Sequence, residues 1–210
     1  MNEIELKIIK EVDLAEVARI HINAFPESAL TKLGHEVVCR YYLRQLTRAY
    51  DCYAVAASKN GKLLGFCFGG IFHGALSDFL RINKKFLIKQ VFLHPWLLAN
   101  QIFRDRLIIA LHSLKVLPAK KNKPTTSVIK ENSRSFSILS IAVDPFTQSR
   151  GVGRILMQAA EKKAIEKGFN QMDLSVNPKN LQAINFYLGL GWVKKGDPWA
   201  GSMIKNLAKK

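Results

Sequence analysis

Apolar and polar residues alternate at the start of the chain, where Ile4, Leu6 and Ile8 are separated by Glu and Lys. A period of two predicts a half-buried strand. The period then lengthens: Val17, Ile20, His21 and Ala24 recur at helical spacing, with Asp13 positioned to cap that helix and Pro26 to end it. A second helical stripe, Leu33, Val37, Tyr41 and Leu46, predicts a helix from about Leu30 to Ala49. Two strand-like runs, CYAVAAS and LLGFCFGGI, flank Lys59-Asn60-Gly61-Lys62, and Asn-Gly between two such runs predicts a β-hairpin.

Between His73 and Ser135 apolar residues at helical spacing are interleaved with Lys and Arg, broken at His94-Pro95 and followed by the polar stretch AKKNKPTTSVIKENSRS. This reads as two helices and a flexible return. Phe79, Ile82, Phe86 and Leu93 are the prominent apolar residues of the first half, and Phe103, Leu107, Ala110 or Leu111, and Leu114 recur in the second. A strand over Phe136–Val143, a helix over Gly151–Lys167, a strand over Gln171–Val176 and a helix over Asn180–Leu190 follow. Two further β-rich stretches, Trp192–Lys195 and Ser202–Leu207, end the chain. Strands and helices mixed in this way predict an α/β protein, read as one domain over 1–210 with an insertion over about 73–135.

Composition narrows the class. An apolar fraction of 48% is enough to offset the entropy of ordering, so the chain is expected to fold. Thirty-two Lys and Arg against sixteen Asp and Glu leave a net charge of +16, a field that attracts phosphates, nucleic acid or anionic lipid. The start, MNEIELKIIK, lacks the apolar run of a secretory signal, and no apolar stretch approaches the roughly 18 residues of a membrane span. A cytoplasmic protein is expected, with peripheral attachment at the inner membrane face left open. Cys39, Cys52 and Cys67 are odd in number and lack C-x-x-C spacing, so they are read as reduced thiols, and no histidine pair has H-x-x-x-H spacing. No metal site is expected.

The sharpest local signal is IAVDPFTQSRGVGRILM. A strand ends at Asp144-Pro145, and a polar turn enters a helix through Gln148-Ser149-Arg150-Gly151-Val152-Gly153. Glycines let a ligand approach the backbone, and the unpaired amides of a helix N-terminus favour an anion such as a diphosphate. Arg150 and Arg154 add formal charge beside them. No Lys-Ser or Lys-Thr follows the glycines, and Gly153 is followed by Arg-Ile-Leu, so neither G-x-x-x-x-G-K-[ST] nor G-x-G-x-x-G is satisfied.

Residues 136–195 resemble the GNAT (Gcn5-related N-acetyltransferase) superfamily. Gln148–Gly153 matches that family's Q/R-x-x-G-x-G/A loop, and NLQAINFYLGLGW (Asn180–Trp192) is similar to its N-x-x-A-x-x-F-Y-x-x-x-G-F segment with Trp in place of Phe. The resemblance implies a mixed, mostly antiparallel central sheet flanked by helices, with the two-helix basic insertion between the third and fourth strands. It implies an N-acyltransferase, with acetyl-CoA or another acyl-CoA as cosubstrate and a primary amine as acceptor. Ile141, Ala142 and Val143 would pair with the pantetheine arm, and Gln148, Ser149, Arg150, Gly151, Val152, Gly153 and Arg154 would hold the diphosphate. Asn180 would touch the cofactor arm and Tyr187 would act near the sulfur as general acid. A phenol there suits the chemistry, because expulsion of a thiolate needs a proton or a hydrogen bond. An unpaired N–H at Val143 could serve the oxygen of the tetrahedral intermediate.

The chain departs from the family at one place. Many members carry a glutamate base near the start of the strand before the loop, where this chain has Ser137, and a serine does not deprotonate an ammonium unaided. Glu27, His35 and His73 are alternative candidates. The pattern AFPES..LTKLG..V..RYYLRQL is similar to a subgroup tied to surface-polysaccharide and amino-sugar pathways, which suggests an amino-sugar acceptor. Two other classes compete with the enzyme: a basic nucleic-acid-binding protein, disfavoured because no zinc-finger, helix-turn-helix or RNP pattern occurs, and a membrane-associated protein. A homodimer is also open, since the insertion's apolar stripes need a surface to cover them.

Overall fold

The computed structural model describes residues 4–47, 51–72, 74–96, 104, 135–147 and 151–207. Two compact units emerge, one made of Met1–Lys10, Ala49–Phe72 and Glu131–Lys210, the other of Glu11–Arg48 and His73–Lys130. The first unit holds a seven-stranded sheet of β1 (Glu5–Ile8), β2 (Tyr53–Lys59), β3 (Lys62–Gly70), β4 (Phe136–Val143), β5 (Gln171–Ser175), β6 (Val193–Lys194) and β7 (Ser202–Asn206). Their spatial order is β1-β2-β3-β4-β5-β7-β6. Only β4 and β5 run parallel, and every other neighbour pair is antiparallel. This is the mixed, mostly antiparallel sheet expected, and its β2–β3 hairpin turns at Asn60-Gly61 with Lys59 opposite Lys62.

One irregularity in β4 decides which of its side chains reach the core. Its register against β3 steps from Phe68↔Ser140 to Gly69↔Ile138, so Leu139 is an extra residue on the β4 side, a β-bulge. An extra residue shifts the alternation of side chains by one. Phe136 and Ile138 before the bulge, and Ile141 and Val143 after it, therefore share one sheet face. That face packs into a single apolar cluster with Leu156, Met157 and Ala160 of the helix Val152–Glu166, and with Met172, Leu174, Trp192 and Met203.

The second unit is helical, with α1 (Leu14–Ala24), α2 (Ala29–Lys32), α3 (His35–Thr47), α4 (Ala75–Ile82) and α5 (Lys84–Leu93). Asp13 sits at the N-cap of α1 but makes no side-chain cap bond, because it belongs to the 3-10 turn Glu11–Asp13 and has helical dihedrals itself. The single helix expected from Leu30 to Ala49 is two. Gly34 separates them with φ +101, a backbone state an L side chain rarely adopts, while Ser28 caps the first by accepting from Leu30 and Thr31. The insertion's first half is likewise two helices, breaking at Asn83 and stopping at His94 before Pro95. Its expected second helix, with Phe103, Leu107, Ala110, Leu111 and Leu114, lies outside the described residues.

Two polar clusters hold this unit together. Arg44 meets the buried Asp78 through Nε at 2.7 Å and Nη2 at 2.6 Å, and Arg81 adds a contact at 3.0 Å. His21 is buried, with Nδ1 2.8 Å from the Tyr42 hydroxyl and Nε2 3.3 Å from Ser28 Oγ. Burial pulls its pKa down from 6.5 to about 4.

Candidate active site

β4 and β5 pair over only three rungs, Phe136↔Met172, Ser137↔Asp173 and Ile138↔Leu174. Beyond them β5 stays with β7, as the Val176 amide donates to the Gly201 carbonyl at 2.8 Å. The direction of the β4 amides follows from one hydrogen bond. Asp144 N–H donates to the Leu64 carbonyl at 2.8 Å, so that amide points to β3. Amides of an extended strand alternate, which turns those of Ile141 and Val143 away from β3, toward the side on which β5 no longer pairs. Ala142 is different: it pairs with Phe66 and its backbone groups face β3.

The next helix, α6 (Val152–Glu166), begins beside this edge. Gly151 is its N-cap with φ +78, and a Cβ there would meet nothing within 4 Å. The first amides of a helix have no partner within it, and the first turn here holds no acidic residue. Open space, positive backbone ends and the nearby exposed Arg154 fit a diphosphate. Gly153 also serves packing, since a Cβ on it would lie 3.3 Å from Phe186 Cζ and 3.7 Å from Val143 Cγ2. The helix start is thereby held close to both β4 and the helix α7 (Leu181–Leu188). Gln148, Ser149 and Arg150 lie outside the described residues. Asp144 shapes the approach to the loop: it is buried, and its Oδ1 accepts from the Phe146 amide at 3.1 Å.

α7 carries the remaining two site candidates. Asn180 is its N-cap, with Oδ1 accepting from the Ala183 amide at 3.0 Å, so its side chain fixes the helix start while remaining exposed. Tyr187 is buried, with its ring 5.3 Å from that of Phe186 and 5.9 Å from that of Trp192. It joins the cluster that contains Cys67, Ile141 and Val143. Burial, and secondarily the Cys67 sulfur, raise the phenol above its ordinary pKa, so it keeps its proton at neutral pH. Cys67 itself is pushed up to about 12 by burial and acts as a small apolar residue.

The alternative base candidates are engaged elsewhere. Glu27 is exposed and 3.2 Å from Lys32. His35 Nε2 donates to the Ala15 carbonyl at 3.0 Å and its Nδ1 lies 3.6 Å from Cys39 Sγ. His73 lies outside the described residues. Ser137 has a partner that the sequence did not bring forward: its hydroxyl meets the Asp173 carboxylate on β5, at 2.9 Å from Oδ1 and 3.1 Å from Oδ2. Only the β4–β5 register reveals that pair. Among the described residues no cluster of His, Cys, Asp or Glu could hold a metal.

Solved structures with the same fold include an N-acetyltransferase PaiA from Thermoplasma acidophilum in complex with coenzyme A, at 15% identity over 97% of this chain and 99% of that one, TM-score 0.58. The ribosomal-protein-S18-alanine N-acetyltransferase of Escherichia coli matches at 15% identity over 98% and 95%, TM-score 0.55. An aminoglycoside N-acetyltransferase in complex with CoA matches at 13% identity over 93% and 91%, TM-score 0.58. No curated protein sequence matches the chain. The model of the acetyltransferase (GNAT) family matches residues 14–192, nearly the whole chain and both segments that frame the parted strands. The chain therefore belongs to the acetyltransferase (GNAT) family and is an acyl-CoA-dependent acyltransferase.

Proposed function

We propose that the protein is a cytoplasmic N-acyltransferase that moves an acetyl group from acetyl-CoA to a primary amine by direct attack in a ternary complex, with an amino sugar as acceptor. The observation that carries this reading is the three-rung pairing of β4 with β5, which leaves the Ile141 and Val143 amides turned to an unpaired edge beside the start of α6. An extended pantetheine arm carries amide groups that can complete such an edge, as an added strand would. Gln148, Ser149, Arg150, Gly151, Val152, Gly153 and Arg154 form the diphosphate loop in this reading, with Ile141, Ala142, Val143 and Asn180 along the arm. Val143 N–H steadies the oxygen of the tetrahedral intermediate, and Tyr187 gives its proton to the departing sulfur.

The acceptor class rests on two supports. The N-terminal half resembles a subgroup of amino-sugar pathways, and an aminoglycoside acetyltransferase is among the structures that share the fold. A nucleotide- or lipid-linked amino sugar is anionic, which suits a net charge of +16. The test is mass spectrometry after incubating acetyl-CoA with sugar nucleotides, polyamines and peptides with free N-termini. An acetylated amino sugar, and no acetylated peptide or polyamine, is the expected result. Coenzyme A should also raise the melting temperature, and Gly151→Asp should abolish that rise while Gly151→Asn, which shares its backbone strain, keeps part of it.

A second reading coexists with the first. The solvent face of α5 carries Lys84, Lys85 and Lys89 together with Ile88, Phe92 and Leu93, and Trp96 follows just beyond it. Phe92 is 80% exposed and Trp96 63%. No acidic residue occurs between Asp78 and Asp105. A basic helix with exposed Phe and Trp has the chemistry of an anionic membrane surface, which would hold the enzyme near a lipid-linked acceptor.

A further inference from the structure

Asp173 is a half-buried carboxylate in a strongly basic protein, yet it has no cationic partner among the described residues. Several of the other acids are paired. Glu16, Glu36, Asp78, Glu161 and Glu166 each meet an Arg or Lys within about 3 Å. The strand neighbours of Asp173 on its sheet face are uncharged: Ser137 across β4, Ile204 across β7, and Gln171 and Ser175 along β5. A carboxylate has about four acceptor sites, and the Ser137 hydroxyl occupies only a part of them.

Its location is as informative as its isolation. Asp173 stands on the rung just before the last that joins β4 to β5, so it borders the place where the strands part. Met172 and Leu174 belong to the apolar cluster beneath α6, and alternation puts Asp173 on the opposite face. Tyr187 belongs to that cluster. The carboxylate therefore borders the opening from the sheet face opposite the one on which Tyr187 packs, so a proton acceptor for the nucleophile and a proton donor for the leaving group do not compete for one space.

We propose that Asp173, oriented by Ser137, is the carboxylate that receives the acceptor's ammonium group and takes its proton. This rests on the transferase reading above and supplies the base that reading lacks. Asp173 accepts one proton from the ammonium and releases it to solvent. The neutral nitrogen attacks the thioester carbonyl carbon, the C–N bond forms, and the C–S bond breaks as the tetrahedral intermediate collapses. Tyr187 protonates the departing thiolate and regains, through solvent, the second proton that nitrogen loses. One amide, one thiol and one proton result. Asp173 is thus a catalytic residue and Ser137 a positioning residue.

The test uses the full chain with acetyl-CoA and glucosamine, UDP-glucosamine, spermidine or an alanyl peptide, following free thiol as a function of pH. With whichever amine the wild type acetylates, Asp173→Asn should lower kcat/KM by on the order of 10² and remove the acidic limb of its pH profile. Ser137→Ala should lower it by roughly tenfold and keep the limb. The thermal shift with coenzyme A should be unchanged in both, since neither group serves the cofactor. Wild-type kcat/KM with a wild-type pH profile in Asp173→Asn would overturn the assignment and leave the transferase intact. Absence of acetylation of every amine by the wild type would instead overturn the proposed transfer of acetyl to a primary amine, and this assignment with it. If Asp173→Asn does not melt cooperatively, the exchanged pair Ser137→Asp/Asp173→Ser is compared with Asp173→Ser alone. Recovery of tenfold or more supports the assignment, and equal rates reject it.

Discussion

Tyr187 combines two properties that rarely coincide in a surface tyrosine: a ring fixed by Phe186 and Trp192, and a phenol whose burial holds it protonated. Tyr187→Phe keeps the ring packing and removes only the hydroxyl group. The expected outcome is a fall in kcat of on the order of 10² with an unchanged coenzyme A thermal shift and melting temperature. Steady-state kinetics beside differential scanning fluorimetry separates that result from a packing role. His21 lends itself to a different measurement. Its folded pKa of about 4 lies below the unfolded 6.5, so the fold accepts the neutral ring and resists the charged one. Its contribution is complete above pH 6.5 and is lost as pH falls through 4, about 3 kcal/mol in all. Urea melts from pH 7 to pH 4 should show wild type losing more stability than His21→Gln by about that amount. Parallel pH curves would show that His21 titrates in the fold as it does in the unfolded chain.

Elements were legible in proportion to how local their causes are. The hairpin at Asn60-Gly61, the α6 entry through Gly151 and the α7 entry through Asn180 each depend on a few adjacent residues, and each appears where the sequence put it. Gly34 splits a helix that apolar spacing alone read as continuous, because Val37 and Tyr41 keep the stripe while the backbone turns out of it. The β4 bulge at Leu139 and the Ser137–Asp173 pair depend on which strand lies beside which, and no local pattern encodes that register. Among these elements α5 offers its own test. Lys84→Glu/Lys85→Glu/Lys89→Glu removes the basic half of its solvent face and leaves Phe92 and Trp96 in place. Wild type is expected to cosediment at low salt with vesicles containing phosphatidylserine, to detach at high salt, and to lose binding in the triple variant. Equal sedimentation with anionic and neutral vesicles would assign the exposed face of α5 to protein packing instead.

At the scale of the whole molecule, the sheet is two ladders, β1-β2-β3-β4 and β5-β7-β6, stitched by three parallel rungs. Parallel rungs are slightly weaker than antiparallel ones, so this seam is the least reinforced junction inside the sheet, and only the edge pair β6–β7, with two rungs, is shorter. A cosubstrate lying along Ile141 and Val143 would act as a short prosthetic strand. Deuterium uptake at those two amides should then be rapid in the free protein and slow when coenzyme A is added, with protection spreading to Ser137 and Asp173 across the seam. Protection confined to the start of α6 would mean that the ligand touches the loop and leaves the strands alone. If the seam does tighten, acyl donor binding and sheet rigidity become one equilibrium: the enzyme would be stiffest when loaded, and most open to unfolding between turnovers.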